Sequence, residues 1–357
     1  MGHLVGILFL DVTLSAQETK AGLEWRDLLV VGGRQNRNAL HKEEWHRFRQ
    51  GVVVCVPGSG SEPKVRLEYE SPPTACAHED QPSILFKAGS LADGRLYLCT
   101  QTEILVVDLE TFETVHYLSL PFFNDLHHVR PTERNTLLVT VTGLDMVVEV
   151  EPNGAVVREW GVLGQSPWER FSRDIDYRRI VTTKPHHSHP NYVFVPDGDI
   201  WVTRFEQKDA VCLTTNVATI PIDVEKPHDG IVFDGQIYFT TVDGHVVIAD
   251  ADSKQVLEIL DLNEMSGSLH ALGWCRGLAV LTEHLIVVGF SRIRPTRFRE
   301  NLRWVRYGLG LREDKGDLPT RIVCYDLGAR REAWAVDLEG CGMNAVFSIH
   351  PVPRTLQ

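Results

Sequence analysis

The chain has 357 residues, 43% of them hydrophobic, and 28 glycines, a composition suited to a packed, turn-rich globular protein. Its length allows two ordinary domains or one large closed sheet. A net charge of -12 argues against a general nucleic-acid surface, and no apolar run approaches the roughly 18 residues of a membrane span.

Residues 4–10 are apolar, but no Lys or Arg precedes them and Asp11 follows at once. They read as a first strand and a poor signal peptide. Beyond them helix-period patterns are scarce, and strand-length runs alternate with Asp-Gly, Asn-Gly and Gly-rich turns. One four-strand unit covers 83–87, 92–100, 103–108 and 114–118. A second covers 128–130, 136–141, 146–150 and 156–160, and a third 192–195, 200–203, 210–213 and 219–222. The fourth runs over 230–233, 236–240, 244–250 and 255–260, and the fifth over 271–274, 285–289, 321–326 and 332–336. Residues 343–349 then form an orphan inner strand, while 28–32, 52–56 and 65–69 are orphan outer strands near the N-terminus.

A repeated four-stranded unit with short connections is the pattern of a radial propeller. The expected fold is therefore all-β: a six-bladed β-propeller with four-stranded blades, a single domain over 1–357. One blade is closed jointly by N- and C-terminal strands, which removes two free sheet edges. Stretches at about 163–187 and 291–320 interrupt the rhythm and read as insertions, a common place for binding elements. Seven cysteines lack CxxC spacing and mostly sit in strand runs, as buried thiols in a reducing, cytoplasmic setting would.

A histidine recurs at or just before the inner strand of successive units: His78, His128, His189, His228 and His270. In a propeller these positions converge at one mouth of the axial channel. Converging imidazoles suit a divalent metal, with Fe(II) favoured and Zn, Mn or Cu also compatible. A lone histidine at a strand start is more often a hydrogen-bonded structural residue, and only the recurrence sets these five apart. Glu79 and Asp229 are the candidate catalytic carboxylates beside them, placed to fix an imidazole tautomer, and Glu79 also to move a proton. His127, His186 and His187 neighbour the candidate ligands, but strand alternation turns them elsewhere; His187 in place of His189 stays open. His350 reads as structural. Arg292, Arg294 and Arg297 begin the second insertion, where guanidinium groups can clamp a small anionic substrate. A solvated loop is the plainer reading of the same charges. No P-loop, HExxH helix or GxSxG elbow is present.

The phrases Pro196-Asp-Gly-Asp-Ile-Trp-Val-Thr203 and Phe233-Asp-Gly-Gln-Ile-Tyr-Phe-Thr240 resemble those of NHL-type and gluconolactonase-like six-bladed propellers, over roughly residues 83–349. That resemblance implies the fold. Gluconolactonase-like enzymes use a Glu-, Asn- and Asp-rich divalent site, from which the histidines here depart, so lactonase activity is not implied. The His-lined centre is similar in plan to that of the seven-bladed carotenoid oxygenases, with their four-His iron centre. It implies a non-haem iron oxidoreductase with His128, His189, His228 and His270 as ligands. The alternatives are a metal-dependent lyase or isomerase acting on a carboxylate-bearing substrate, and a non-enzymatic interaction scaffold.

Overall fold

The computed structural model describes residues 26–36, 48–75, 84–215, 218–268, 270–292 and 318–352. The expected strand at 4–10 and the candidate residues His78, Glu79, Arg294 and Arg297 lie outside them. The described strands make six four-stranded antiparallel sheets, the blades of a β-propeller. Blade one is completed from both chain ends: β24 (Ala345–Pro351) is innermost, followed by β1 (Leu28–Gln35), β2 (Phe48–Val56) and β3 (Lys64–Tyr69). Blade two runs from inner β4 (Ser90–Ala92) to outer β7 (Thr114–Leu118), and blade three from β8 (Leu126–Pro131) to β11 (Val156–Gly161). Blade four runs from β12 (Pro190–Phe194) to β15 (Thr219–Pro221), blade five from β16 (Pro227–Phe233) to β19 (Val256–Asp261), and blade six from β20 (Trp274–Thr282) to β23 (Arg331–Asp337).

Burial follows radius. Strands in the middle of a blade are covered on both faces by neighbouring blades, so β10 (Met146–Val150) is buried at every position and apolar except at Glu149, which is held by Arg134 and Thr136. The outer β23 alternates exposed with half-buried residues along its whole length. The core lies between blades; one such layer packs Phe194 against Trp201 and Phe239.

A hydrogen bond spans every blade junction near the axis. The Gly89 amide donates to Ser348 Oγ at 3.2 Å, and Ser90 Oγ contacts His128 Nε2 at 3.1 Å. The Val193 amide donates to His128 Nδ1 at 3.2 Å, and Asn191 Nδ2 to the Pro227 carbonyl at 3.0 Å. The Gly277 amide donates to Asp229 Oδ2, and the Val346 amide to Ser291 Oγ, both at 3.0 Å. Closure itself depends on Gly32, because a Cβ there would stand 1.8 Å from the Ala345 carbonyl oxygen.

The two ends of the ring differ. At one end the connections are tight turns such as Asp93-Gly94 and Asp234-Gly235, with positive φ at both residues of each pair. At the other end the inner strands begin, and the insertion at 163–187 lies there as two short 3-10 turns inside a loop. The strand ends flanking residues 293–317 also face this end, since Ser291 pairs with Trp274 at the start of β20. Among the described residues no helix is long and apolar enough to cross a membrane.

Candidate axial site

Inner strands do not enter the ring smoothly. Pairing registers shift beside the mouth in β8 between Leu126 and His128, in β12 between Pro190 and Val193, and in β16 between His228 and Ile231. β20 shifts between Cys275 and Leu278, and β24 where Val31 gives way to Gly32 on its partner. Asp125, His189, Asp229 and Gly277 hold left-handed φ values of 49°, 58°, 55° and 87° at these bulges. A bulge inserts one residue and re-aims the side chains around it, and such strained positions gather at functional sites.

The re-aimed side chains form a belt that touches all six blades. Lys87 Nζ of blade two lies 5.2 Å from the Phe347 ring of blade one and 3.3 Å from Asp125 Oδ1 of blade three. His127 follows, its Nδ1–H donating to the Asp125 carbonyl at 2.9 Å and its ring 4.7 Å from that of His189. His189 of blade four meets Phe205 at 4.9 Å between centroids, Phe205 meets His228 of blade five at 5.3 Å, and His228 meets Trp274 of blade six at 6.2 Å. Arg276, two residues along the same strand, stacks its guanidinium over Phe347 at 4.2 Å and closes the circuit.

A carboxylate positions the histidine run. Asp145 Oδ1 accepts from the amides of Ser188 at 3.0 Å and His189 at 2.8 Å. Its Oδ2 accepts from the His187 amide at 2.8 Å and from Arg170 Nη1 at 3.0 Å. The run is thereby held so that His186 Nδ1 sits 3.0 Å from His189 Nδ1, one imidazole donating and the other accepting. His187 is exposed.

Burial dominates the electrostatics. It pushes His228, His127 and His189 well below the ordinary imidazole range, helped by Arg276 at His228 and by Lys87 at His127. At His189 the neighbouring Asp125 opposes the shift without reversing it. Burial alone would raise Asp125, yet Lys87 and the adjacent histidines hold its carboxyl well below the usual range. Arg276 is brought down by burial to about 10, which leaves it charged at neutral pH.

The expected ligand set separates in three dimensions. His189 and His228 join the belt; His128 and His270 do not. His128 turns sideways between blades, where Nε2 meets the Gly89 carbonyl at 3.1 Å, Nδ1 accepts from the Val193 amide, and the ring stacks on Tyr192 at 3.6 Å. Both its nitrogens are committed, so it is a structural latch, and its neighbour His127 faces the belt in its place. His270 precedes β20 by four residues, because that strand starts at Trp274 and not at 271. Arg276 stands where a fifth belt histidine was expected. Asp229 joins blades five and six: Oδ2 accepts from Thr240 Oγ1 and the Gly277 amide, and burial raises its pKa. Arg292 is gripped by both Glu339 carboxylate oxygens, at 2.8 and 2.6 Å.

Among the described residues no three His, Cys, Asp or Glu side chains gather in an arrangement able to hold a metal ion. The four-imidazole centre implied by similarity to carotenoid oxygenases is therefore not assembled by them. A separate depression of about 550 Å³, lined by Arg34, Arg49, Glu339 and Asn344 among others, contains none of the belt residues. Lys87 and Arg276 were missed in the sequence. Their signal was a single cation inside an otherwise apolar strand run, Leu85-Phe86-Lys87-Ala88 and Cys275-Arg276-Gly277-Leu278.

Fold and belt together define the class: a six-bladed β-propeller with a basic, imidazole-lined axial mouth. No family model matches the chain, and neither does any curated protein. Among solved structures it is similar to a protein of unknown function from Bacteroides caccae, at 14% identity and a TM-score of 0.60, over 92% of this chain and 100% of that one. It is also similar to a chain of a nidogen/laminin complex, at 10% identity and a TM-score of 0.52, over 90% of this chain and 97% of that one. Likeness at this identity concerns the fold alone.

Proposed function

We propose that the protein is an enzyme whose axial belt moves a proton on a small anionic molecule, the chemistry of an isomerase or lyase. His228 carries this reading: both its ring nitrogens are buried, and neither has a hydrogen-bonding partner among the described residues. An unpaired buried polar group costs about 1–3 kcal/mol, which a polar molecule bound there offsets. His127, His189 and His228 are held neutral, so each enters the reaction unprotonated at physiological pH. His127 has its tautomer set, since Nδ1–H is given to the Asp125 carbonyl and Nε2 is left as the acceptor. The His186–His189 pair shares one proton, which can pass between the two rings. In the reaction one imidazole takes a proton from the substrate as base, and the resulting imidazolium returns it at a second position as acid.

The competing reading is a non-haem iron oxidoreductase, with His127, His189 and His228 as the belt's candidate donors for Fe(II), Zn, Mn or Cu. The described donors do not fit a common ion, so no step is routed through one. A cytoplasmic setting is supported by the free thiols Cys55, Cys99, Cys212, Cys275 and Cys324, all buried.

Incubating the protein with a mixture of small carboxylic acids in deuterated water tests the reading. At least one acid should gain deuterium or be converted, and His228→Gln should slow this on the order of 100-fold. Stoichiometric iron in the purified protein, with oxygen uptake on adding substrate, would replace it by the oxidoreductase. Neither labelling nor metal would leave the interaction scaffold.

A further inference from the structure

We infer that Arg276 is the anion-binding residue of the axial site and that its ligand is a small monocarboxylate. Arg276 is 5% exposed and lies on β20 beside Trp274, whose ring is 6.2 Å from that of His228. Its guanidinium rests on the Phe347 ring, and among the described residues it has no hydrogen-bond or ion-pair partner. Burying a cation without a counter-charge costs several kcal/mol, roughly, and folds avoid it unless an anion arrives. The nearby acids are already engaged. Asp125 lies against the other buried cation, Lys87, at 3.3 Å, while Asp229 Oδ2 is committed to Thr240 and Gly277.

Charge and shape select the ligand. Lys87 and Asp125 pair with one another and the imidazoles are neutral, while Asp229 acts on Arg276 electrostatically without lying within ion-pair distance, so the guanidinium is left open to the two oxygens of a monoanion. The guanidinium fork matches the two oxygens of a carboxylate, and stacking on Phe347 keeps its plane fixed. A phosphate dianion would bring surplus negative charge into a buried site. The assignment rests on the axial-site reading, and it identifies the end of the substrate opposite to the group that exchanges its proton.

Calorimetric titration with acetate, propionate, lactate and inorganic phosphate, at ionic strength held constant with chloride, tests it. At least one monocarboxylate should bind saturably at one site per chain, with phosphate at least about tenfold weaker. Arg276→Met should weaken that binding on the order of 100-fold, and Arg276→Lys about tenfold. Circular dichroism checks that Arg276→Met is folded; if it is not, Arg276→Lys decides, and unchanged affinity in that variant overturns the assignment. The absence of saturable binding by any monocarboxylate, tighter binding of phosphate, or wild-type affinity in Arg276→Met also overturns it. Binding without deuterium labelling by the wild type would fail the enzymatic reading alone.

Discussion

Blades three and five treat the same residue type in opposite ways. His128 satisfies both ring nitrogens and stacks on Tyr192, whereas His228 satisfies neither. Replacing His128 by Ala strands a buried amide and a buried carbonyl and opens a cavity beside Tyr192. We expect it to cost about 2–4 kcal/mol in urea unfolding, with the belt residues untouched. Replacing His228 by Phe removes two unpaired polar atoms and keeps the ring. That variant should unfold at the same urea concentration as the parent or higher, while proton transfer is lost. Equal destabilisation by both changes would mean that His228 is structural too.

At the scale of elements, the bulged inner strands and the insertion at 163–187 place the chemistry. The insertion reaches the ring through Asp145, whose carboxylate binds three consecutive amides and Arg170. Asp145→Ala leaves those donors without an acceptor, at a cost of about 2–4 kcal/mol. Hydrogen exchange should accelerate at His187, Ser188 and His189, with little change in the distant β23, and activity should fall because His186 and His189 lose their alignment. The rise and fall of the outer strands was readable in the sequence, since β23 alternates with period two. The bulges were not. A one-residue insertion leaves no mark in a run such as Leu126-His127-His128-Val129, yet it decides which of the two histidines faces the axis.

Across the whole molecule, the axis is a concentration of histidines that refuse protons. Burial holds His127, His128, His189 and His228 well below their unfolded values, and brings His350 to about 4. Below about pH 6.5 the unfolded chain binds protons that the folded chain does not, so stability falls as pH falls. The loss continues down to each folded-state pKa, with a slope of up to about 1.4 kcal/mol per pH unit for each histidine. His245 opposes the trend, because the Asp243 carboxylate, 3.0 Å from its Nδ1, outweighs burial and raises it. Thermal unfolding between pH 7.5 and 5 should show a steep decline in Tm, less steep in His350→Gln. A flat profile would contradict the buried neutral state of these groups. Closure of the ring is what makes the burial possible, and it depends on β24 meeting β1 across Gly32.

Strand count, the four-stranded repeat and the union of both chain ends in one blade were legible in the sequence, because apolar period and turn residues are local properties. Position within a repeat becomes height in a propeller, and of the five recurring histidines His189 and His228 meet at the axial mouth. Which of them face the axis was decided by tertiary structure alone. Bulges turn His127 inward and His128 sideways, and the late start of β20 replaces His270 by Arg276. Pairing registers between strands distant in the chain set those orientations, and they place neutral imidazoles beside a buried guanidinium that has no hydrogen-bond or ion-pair partner among the described residues.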